Sequence, residues 1–126
     1  MKPITLIVEK SQGELWGRVK YDDDLIVDSA KNMISLERKM KKLLKVLHEL
    51  DPKAVVFEHQ YDLTVLFQQF SYLKISAIAE KANLNAALLR QYVTGIKHPS
   101  AKQAKKVEDT IHKIGKELSN IAVYAE

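Results

Sequence analysis

Residues 75–95 read ISAIAEKANLNAALLRQYVTG, and this stretch predicts two short helices that meet at a tight turn. Ala79 is small, as a residue must be where two helices touch closely. Asn83 stands at the turn, which requires a positive φ that Asn tolerates better than most residues, and Asn85 can cap the second helix. Apolar residues follow where the second helix would pack on the first: Leu84, Leu89 and Tyr92. This spacing is typical of a DNA-binding helix-turn-helix.

The second of these helices would present a compact polar face to a partner. Its candidate DNA-reading residues are Asn85, Ala86, Ala87, Arg90, Gln91 and Thr94. Arginine pairs well with guanine and glutamine with adenine, while alanine permits close approach and contact with thymine methyl groups. Beyond Gly95, Lys97 and His98 are candidates for phosphate contacts. The alternative interpretation is an ordinary helical hairpin with a solvated polar face.

Helices are predicted on both sides of this motif. Asp62 can cap a helix over residues 63–73, the next helix begins at residue 74 or 75, and Pro99-Ser100 opens a long last helix. That last helix carries an apolar stripe at steps of three and four: Ala104, Val107, Ile111, Ile114, Leu118 and Ile121. The stripe could cover the helix-turn-helix core or form a dimer seam in its distal part, and both remain open. Residues 121–125 could continue the helix or pair as a strand.

The first half of the chain predicts a small sheet. Alternating apolar residues indicate strands over residues 4–9 and 15–21, with a short third strand over residues 25–27. The first turn contains Gly13, which can adopt a positive φ. Connections this short favour an antiparallel meander over parallel crossovers.

One helix and a fourth strand complete this half. The helix is indicated by an apolar stripe with helical spacing: Met33, Leu36, Met40, Leu43, Leu47 and Leu50. Asp28 or Ser29 can cap it, and Asp51-Pro52 ends it because the residue before a proline disfavours the α region. Residues 54–58 predict the fourth strand. The fold class is therefore α+β, with a βββαβ domain over residues 1–61 and an all-α helix-turn-helix domain over residues 62–126.

Composition narrows the classes of function. The 126 residues are 46% hydrophobic and 29% charged, with a formal net charge of +4. Residues 1–61 hold 11 basic and 10 acidic side chains, whereas residues 62–126 hold 9 basic and 6 acidic ones, which indicates an anionic partner for the second half. No cysteine is present, so disulfides and thiolate metal sites are excluded and a cytoplasmic location is expected. The apolar run at residues 4–8 is too short for a signal peptide or a membrane span.

No catalytic or cofactor motif is found. The four histidines lack metal-ligand spacing, and no phosphate-binding glycine loop is present. Carboxylates cluster only at Asp22, Asp23, Asp24 and Asp28, and three consecutive Asp at a strand end favour a solvated turn over a two-metal nuclease site. We expect neither a metal nor a cofactor, and no enzymatic activity.

Residues 62–118 resemble the Cro/C1-type (Xre-like) helix-turn-helix domain, including residues 94–100 (TGIKHPS) after the second helix. The order of elements before them resembles the HicB antitoxin family, in which a small βββαβ domain with a partial RNase H-like fold precedes a DNA-binding tail. The specific match lies in residues 88–92 (LLRQY) and 99–106 (PSAKQAKK). After the second strand this chain has Tyr21-Asp22-Asp23-Asp24 where that family has a Pro-Gly turn.

This resemblance implies a type II toxin–antitoxin system. The N-terminal domain would block a small, basic HicA-like toxin that cleaves mRNA, and the tail, as a homodimer or higher oligomer, would repress the shared operon by binding a double-stranded operator. Asp22, Asp23 and Asp24 are then a candidate docking patch for the toxin. A stand-alone Xre-like regulator, or a module whose helix-turn-helix scaffold binds only protein, would have the same sequence features.

Overall fold

Three strands and a helix open the chain, and its second half is helical, in a computed structural model that describes residues 3–126. The strands are β1 (Ile4–Ser11), β2 (Glu14–Tyr21), β3 (Asp24–Ala30) and β4 (Phe57–Tyr61). The helices are α1 (Met33–His48), α2 (Leu63–Gln69), α3 (Ile75–Ala82), α4 (Ala86–Thr94) and α5 (Ala101–Ser119), and one turn of 3₁₀ helix (Pro52–Ala54) precedes β4. The fold class is α+β, as predicted.

The sheet has the order β3-β2-β1-β4. The first three strands are antiparallel neighbours, which confirms the predicted meander, and β4 pairs in parallel with β1 after the α1 crossover. Alternate strand residues face the core, among them Leu6, Val8, Leu15, Val19 and Ile26. They pack on the buried face of α1, formed by Leu36, Met40 and Leu44.

Helix α1 packs closely on the backbone of β2 at Gly17. A Cβ atom at this position would lie 3.1 Å from Cδ2 of Leu36 and 3.2 Å from Cδ1 of Leu6. The missing side chain therefore sets how near the helix comes to the sheet, since protein interiors leave few voids that could absorb an added atom.

The two hairpin turns use residues with positive φ. Gln12 and Gly13 (φ 51° and 78°) join β1 to β2, and Asp22 and Asp23 (φ 52° and 65°) join β2 to β3. Tyr21 pairs with Asp24 across the second turn, so its loop has two residues. Two consecutive residues with positive φ are typical of the type I′ turn, whose twist matches that of the flanking strands. The predicted role of Gly13 is confirmed.

The chain divides into two compact units, one ending at Leu66 and the other spanning Phe67–Glu126. The division lies within α2 rather than after Tyr61, where the sequence places it. The reason is Asp62, whose backbone N–H donates to the Val8 carbonyl (3.1 Å) and whose carboxylate accepts from the Lys10 backbone N–H (3.0 Å). Val65 also belongs to the core of the first unit.

Four local expectations are wrong. Asn32, and neither Asp28 nor Ser29, caps α1, its side chain accepting from the Ser35 N–H (2.8 Å), because pairing with β2 extends β3 to Ala30. The fourth strand is β4 rather than residues 54–58, because the chain first makes the 3₁₀ turn after Asp51. Helix α2 ends at Gln69 instead of residue 73, and residues 121–126 are neither helix nor strand.

Candidate nucleic-acid interface

The turn between α3 and α4 is built by two asparagines in the roles that the sequence predicts. Asn83 ends α3 in the left-handed conformation (φ 57°, ψ 47°), and the next N–H, from Leu84, donates to the Ala79 carbonyl (2.8 Å). Asn85 caps α4, its side-chain oxygen accepting from the Leu88 N–H (3.1 Å). Together these bonds hold the two helices at a fixed, tight connection.

The contact between α3 and α4 is formed by small and apolar side chains. Ala79 and Leu89 are fully buried, Tyr92 is buried and Leu84 is half-buried. The hydroxyl of Tyr92 donates to the side-chain oxygen of Gln103, which ties α4 to α5. Val107 of α5 completes this core. The burial of one face of α4 leaves the opposite face to solvent.

The outward face of α4 carries the predicted reading residues. Asn85, Ala87, Arg90 and Thr94 are exposed, and Ala86 and Gln91 are half-buried. The Thr94 hydroxyl donates to the Arg90 carbonyl (3.0 Å), so its own helix engages it, and the Asn85 oxygen is engaged in the cap. Within residues 3–126, the side chains of Arg90 and Gln91 make no hydrogen bond or ion pair. These two are the polar groups of α4 most available to a base edge.

The loop after α4 begins at Gly95, which ends the helix with φ 82°. Lys97 and His98 are both exposed, and the Lys97 backbone N–H donates to the Gln91 carbonyl (3.2 Å), which holds the loop against α4. Ile96, beside them, is 74% exposed, a feature that sequence reasoning did not single out.

The N-terminal end of α5 contributes further charge. Ser100 caps it by accepting from the Gln103 N–H (3.2 Å), and Lys102 is exposed. Lys105 differs, since its hydrogen bonds to Asp109 and then Glu108 raise its pKa and balance its charge locally. Lys97 and Lys102, by contrast, are exposed and make no ion pair within the part of the chain that the structure describes, so they remain available to an anion. Lys102 was not among the predicted site residues, because its place on the helix cannot be read from charge alone.

The predicted acidic patch divides into two parts. Asp22 and Asp23 are exposed at the tip of the hairpin turn. Asp24 instead bonds to the ring of His48 at the end of α1 (Oδ2 to Nε2, 3.0 Å), and the same ring packs edge-on against Tyr21. Only two of the three carboxylates are thus available to a partner. The described residues include no group of three or more side chains placed to hold a metal ion.

A second ionisable cluster joins α1 to β4 and was not predicted. Glu37 bonds to the His59 ring (2.8 Å), and the pKa of Tyr61 is raised, first by burial and second by the nearby Glu37 carboxylate. Lys41 lies 5.9 Å from the centre of the Phe57 ring. The α1 members lie 16 to 24 residues before the β4 members in sequence, so no local motif indicates the cluster. Its contacts hold the edge strand to the helix.

The predicted stripe on α5 is buried or half-buried as far as Ile114 and exposed beyond it. Val107 and Thr110 are buried, whereas Leu118 is 62% exposed and Ile121, just past the helix, is 64% exposed. Val123 and Tyr124 are exposed as well. Ala104, Ile111 and Ile114 are half-buried, so the stripe covers the core of this unit as far as Ile114, and its exposed part begins at Leu118.

None of the helices in residues 3–126 has the length and apolarity needed to cross a bilayer. The chain matches no family model, no curated protein and no solved structure.

Proposed function

We propose that this protein is a sequence-specific DNA-binding protein whose α4 enters the major groove as a recognition helix. The observation that carries the proposal is that the tightly turned α3–α4 pair presents Arg90 and Gln91 on its outward face, where neither side chain makes a hydrogen bond or ion pair with the described residues. Small residues at Ala86 and Ala87 allow the helix to approach the base edges closely. The unit from Phe67 to Glu126 holds 9 basic and 5 acidic side chains, which favours an anionic partner.

The functional form is a homodimer. One nine-residue helix offers few base contacts, so tight binding requires two of them on one DNA site. Two exposed apolar residues, Leu118 at the end of α5 and Ile121 just past it, supply a surface that a second copy would cover. The expected DNA site is an inverted repeat whose half-sites are about 34 Å apart, or a multiple of that distance.

Arg90→Ala tests the recognition role. We expect the free energy of binding to the operator to weaken by about 1–3 kcal/mol, with relaxed preference at one base pair, because a bidentate base contact is lost.

Lys97→Ala tests the phosphate contact. It should weaken binding to all sequences alike and lower the slope of log K against log salt by about one, because a phosphate contact is lost. The measurement is a titration of each variant with the footprinted operator and with random duplex DNA. Equal losses on both DNAs for Arg90→Ala would exclude that residue from base reading.

The first unit is proposed to neutralise a HicA-like toxin, so that the protein acts as an antitoxin and represses its own operon. The resemblance of the element order to the HicB family supports this role, and so do the exposed carboxylates Asp22 and Asp23, which suit a basic, RNA-binding partner. A stand-alone regulator would retain the DNA-binding unit and lack this partner. Co-expression with a small basic reading frame beside the gene, and purification through one tag, separates these alternatives.

A double substitution at the hairpin tip, Asp22→Asn with Asp23→Gly, separates docking from folding. Asn-Gly is the preferred pair for a type I′ turn. The left-handed conformation costs a non-Gly residue about 1–2 kcal/mol, and the extra backbone entropy that Gly loses on folding costs about 0.5–1 kcal/mol, so the free energy of unfolding should rise by about 0.5–1 kcal/mol. Toxin affinity should fall by about three- to thirtyfold, because two exposed ion pairs of about 0.3–1 kcal/mol each are lost. The measurements are urea unfolding and calorimetric titration with the co-expressed toxin.

The matched control for this variant removes two carboxylates elsewhere in the first unit, Glu14→Gln with Glu58→Gln. It should leave toxin affinity nearly unchanged, since only the overall charge differs. A hairpin variant that binds the toxin as tightly as the wild type would place the docking surface away from this turn.

A further inference from the structure

Helix α1 carries a stripe of cations on the face opposite the core. Arg38, Lys42 and Lys45 follow each other at steps of four and three, so they lie on one side of the helix and all three are exposed. The buried residues Leu36, Met40 and Leu44 occupy the other side. The stripe, defined as Arg38, Lys42 and Lys45, is about 10 Å long at 1.5 Å per residue.

The stripe is unpaired, in contrast to its neighbours on α1. Lys39 donates to the Ser29 carbonyl (2.8 Å), and Lys41 lies over the Phe57 ring. Within residues 3–126, the three stripe cations make no hydrogen bond and no ion pair. Like charges four residues apart destabilise a helix by about 0.2–0.5 kcal/mol, so the stripe opposes the stability of its own helix.

Charge is strongly segregated within the first unit. Residues 1–66 hold 11 basic and 11 acidic side chains, so the unit as a whole carries no formal net charge. Residues 33–48 nevertheless hold five Lys and Arg and one acid, Glu37, which is engaged with His59. The positive field of the unit is thus concentrated on the outward face of one helix, where an anion would meet it.

We propose that the stripe on α1 is a second DNA contact, an inference that rests on the proposed DNA-binding function. The stripe binds the phosphate backbone of the duplex without reading its sequence. The centre of this face suits phosphates better than a protein. Protein interfaces have an apolar centre with few charges, whereas here the cations occupy the centre. The exposed apolar residues of α1 lie near its two ends, with Ile34 at one end and the pair Val46 and Leu47 at the other, roughly 18 Å away along the helix axis.

A triple variant of the full chain, Arg38→Gln, Lys42→Gln and Lys45→Gln, tests the contact. Each lost phosphate contact lowers the dependence of log K on log salt by about 0.9, so the slope should fall by about 2–3. The loss should be the same on operator and on random duplex DNA, because phosphates carry no sequence information. Affinities are measured by fluorescence anisotropy between 50 and 200 mM salt, and circular dichroism verifies the fold.

The control triple removes three cations outside α1: Lys20→Gln, Lys53→Gln and Lys116→Gln. It changes the net charge equally, so a slope that falls as much as in the α1 triple would overturn the proposal. An α1 triple that keeps the wild-type slope but loses association with a second copy or an acidic protein, in sedimentation, would also overturn it. Arg90→Ala separates failure of the α1 contact from failure of the proposed DNA-binding function. This variant should keep the wild-type slope of log K against log salt and lose sequence preference, whatever the result for the α1 triple. A wild-type protein without salt-dependent duplex binding would contradict both.

Discussion

Substitution of Leu118→Glu with Ile121→Glu is expected to make the protein monomeric and to weaken operator binding by about 100-fold or more. Both side chains are more than half exposed in the single chain, so charges there should leave its fold intact. In a dimer they would be buried, and burial of unpaired carboxylates is strongly unfavourable. Without the dimer, the second half-site is no longer bound intramolecularly, and a linkage of that kind is worth about 10²–10⁴-fold.

The control for this variant adds two carboxylates to exposed polar positions of the same helix, His112→Glu with Ser119→Glu. It reproduces the added negative charge and should remain dimeric. Sedimentation equilibrium gives the mass of each variant, and footprinting shows whether protections occur in pairs. A wild-type monomer that protects a single half-site would remove the basis for the symmetric DNA site.

Leu89→Ala is expected to destabilise the second unit by about 2–5 kcal/mol while leaving the first unit folded. Leu89 is fully buried in the α3–α4–α5 core, and its truncation leaves a cavity in addition to the lost apolar contact. Leu36→Ala should instead destabilise the first unit by about 2–5 kcal/mol and leave the second unit folded, because Leu36 of α1 is fully buried against the sheet. Leu89→Ala should therefore lose DNA binding. Leu36→Ala should lose toxin binding under milder destabilising conditions than those that abolish DNA binding.

Two probes distinguish the units in this experiment. The single tryptophan, Trp16, lies in β2 and reports only on the first unit, whereas helical circular dichroism comes largely from the second. Leu89→Ala should shift the circular dichroism transition and leave that of Trp16 fluorescence in place, and Leu36→Ala should shift the fluorescence. Transitions that move together in both variants would show one cooperative unit instead of two.

Caps, turns and helix periods are readable from the sequence, since each depends on a few neighbouring residues. Asn83 and Asn85 adopt the predicted conformations because turn and cap chemistry act within three residues. Ser100 caps α5, and Gly13 has a positive φ, for the same reason. The candidate reading residues follow from this local framework, and the structure refines them by engaging the Thr94 hydroxyl within its own helix.

Strand limits could not be read in the same way. Pairing of Leu15 with Ala30 extends β3 past Asp28 and Ser29, which moves the cap of α1 to Asn32. Parallel pairing with β1, from Ile4 opposite Phe57 onward, sets where β4 begins. Both limits depend on partners far away in the chain, whose position no local propensity specifies.

The sequence by itself determined the α+β class, the antiparallel meander, the helical stripes and the tight α3–α4 turn. Tertiary structure alone decided that α2 begins in the first unit, that Asp24 bonds to His48, and that Lys39 and Lys41 are engaged while the stripe on α1 is unpaired. It also decided that the distal part of α5 is left exposed. The physical reason is the sequence range of the interactions, because turns and caps depend on contacts among residues only a few positions apart. Burial and ion pairing instead depend on which distant segments the whole core brings together.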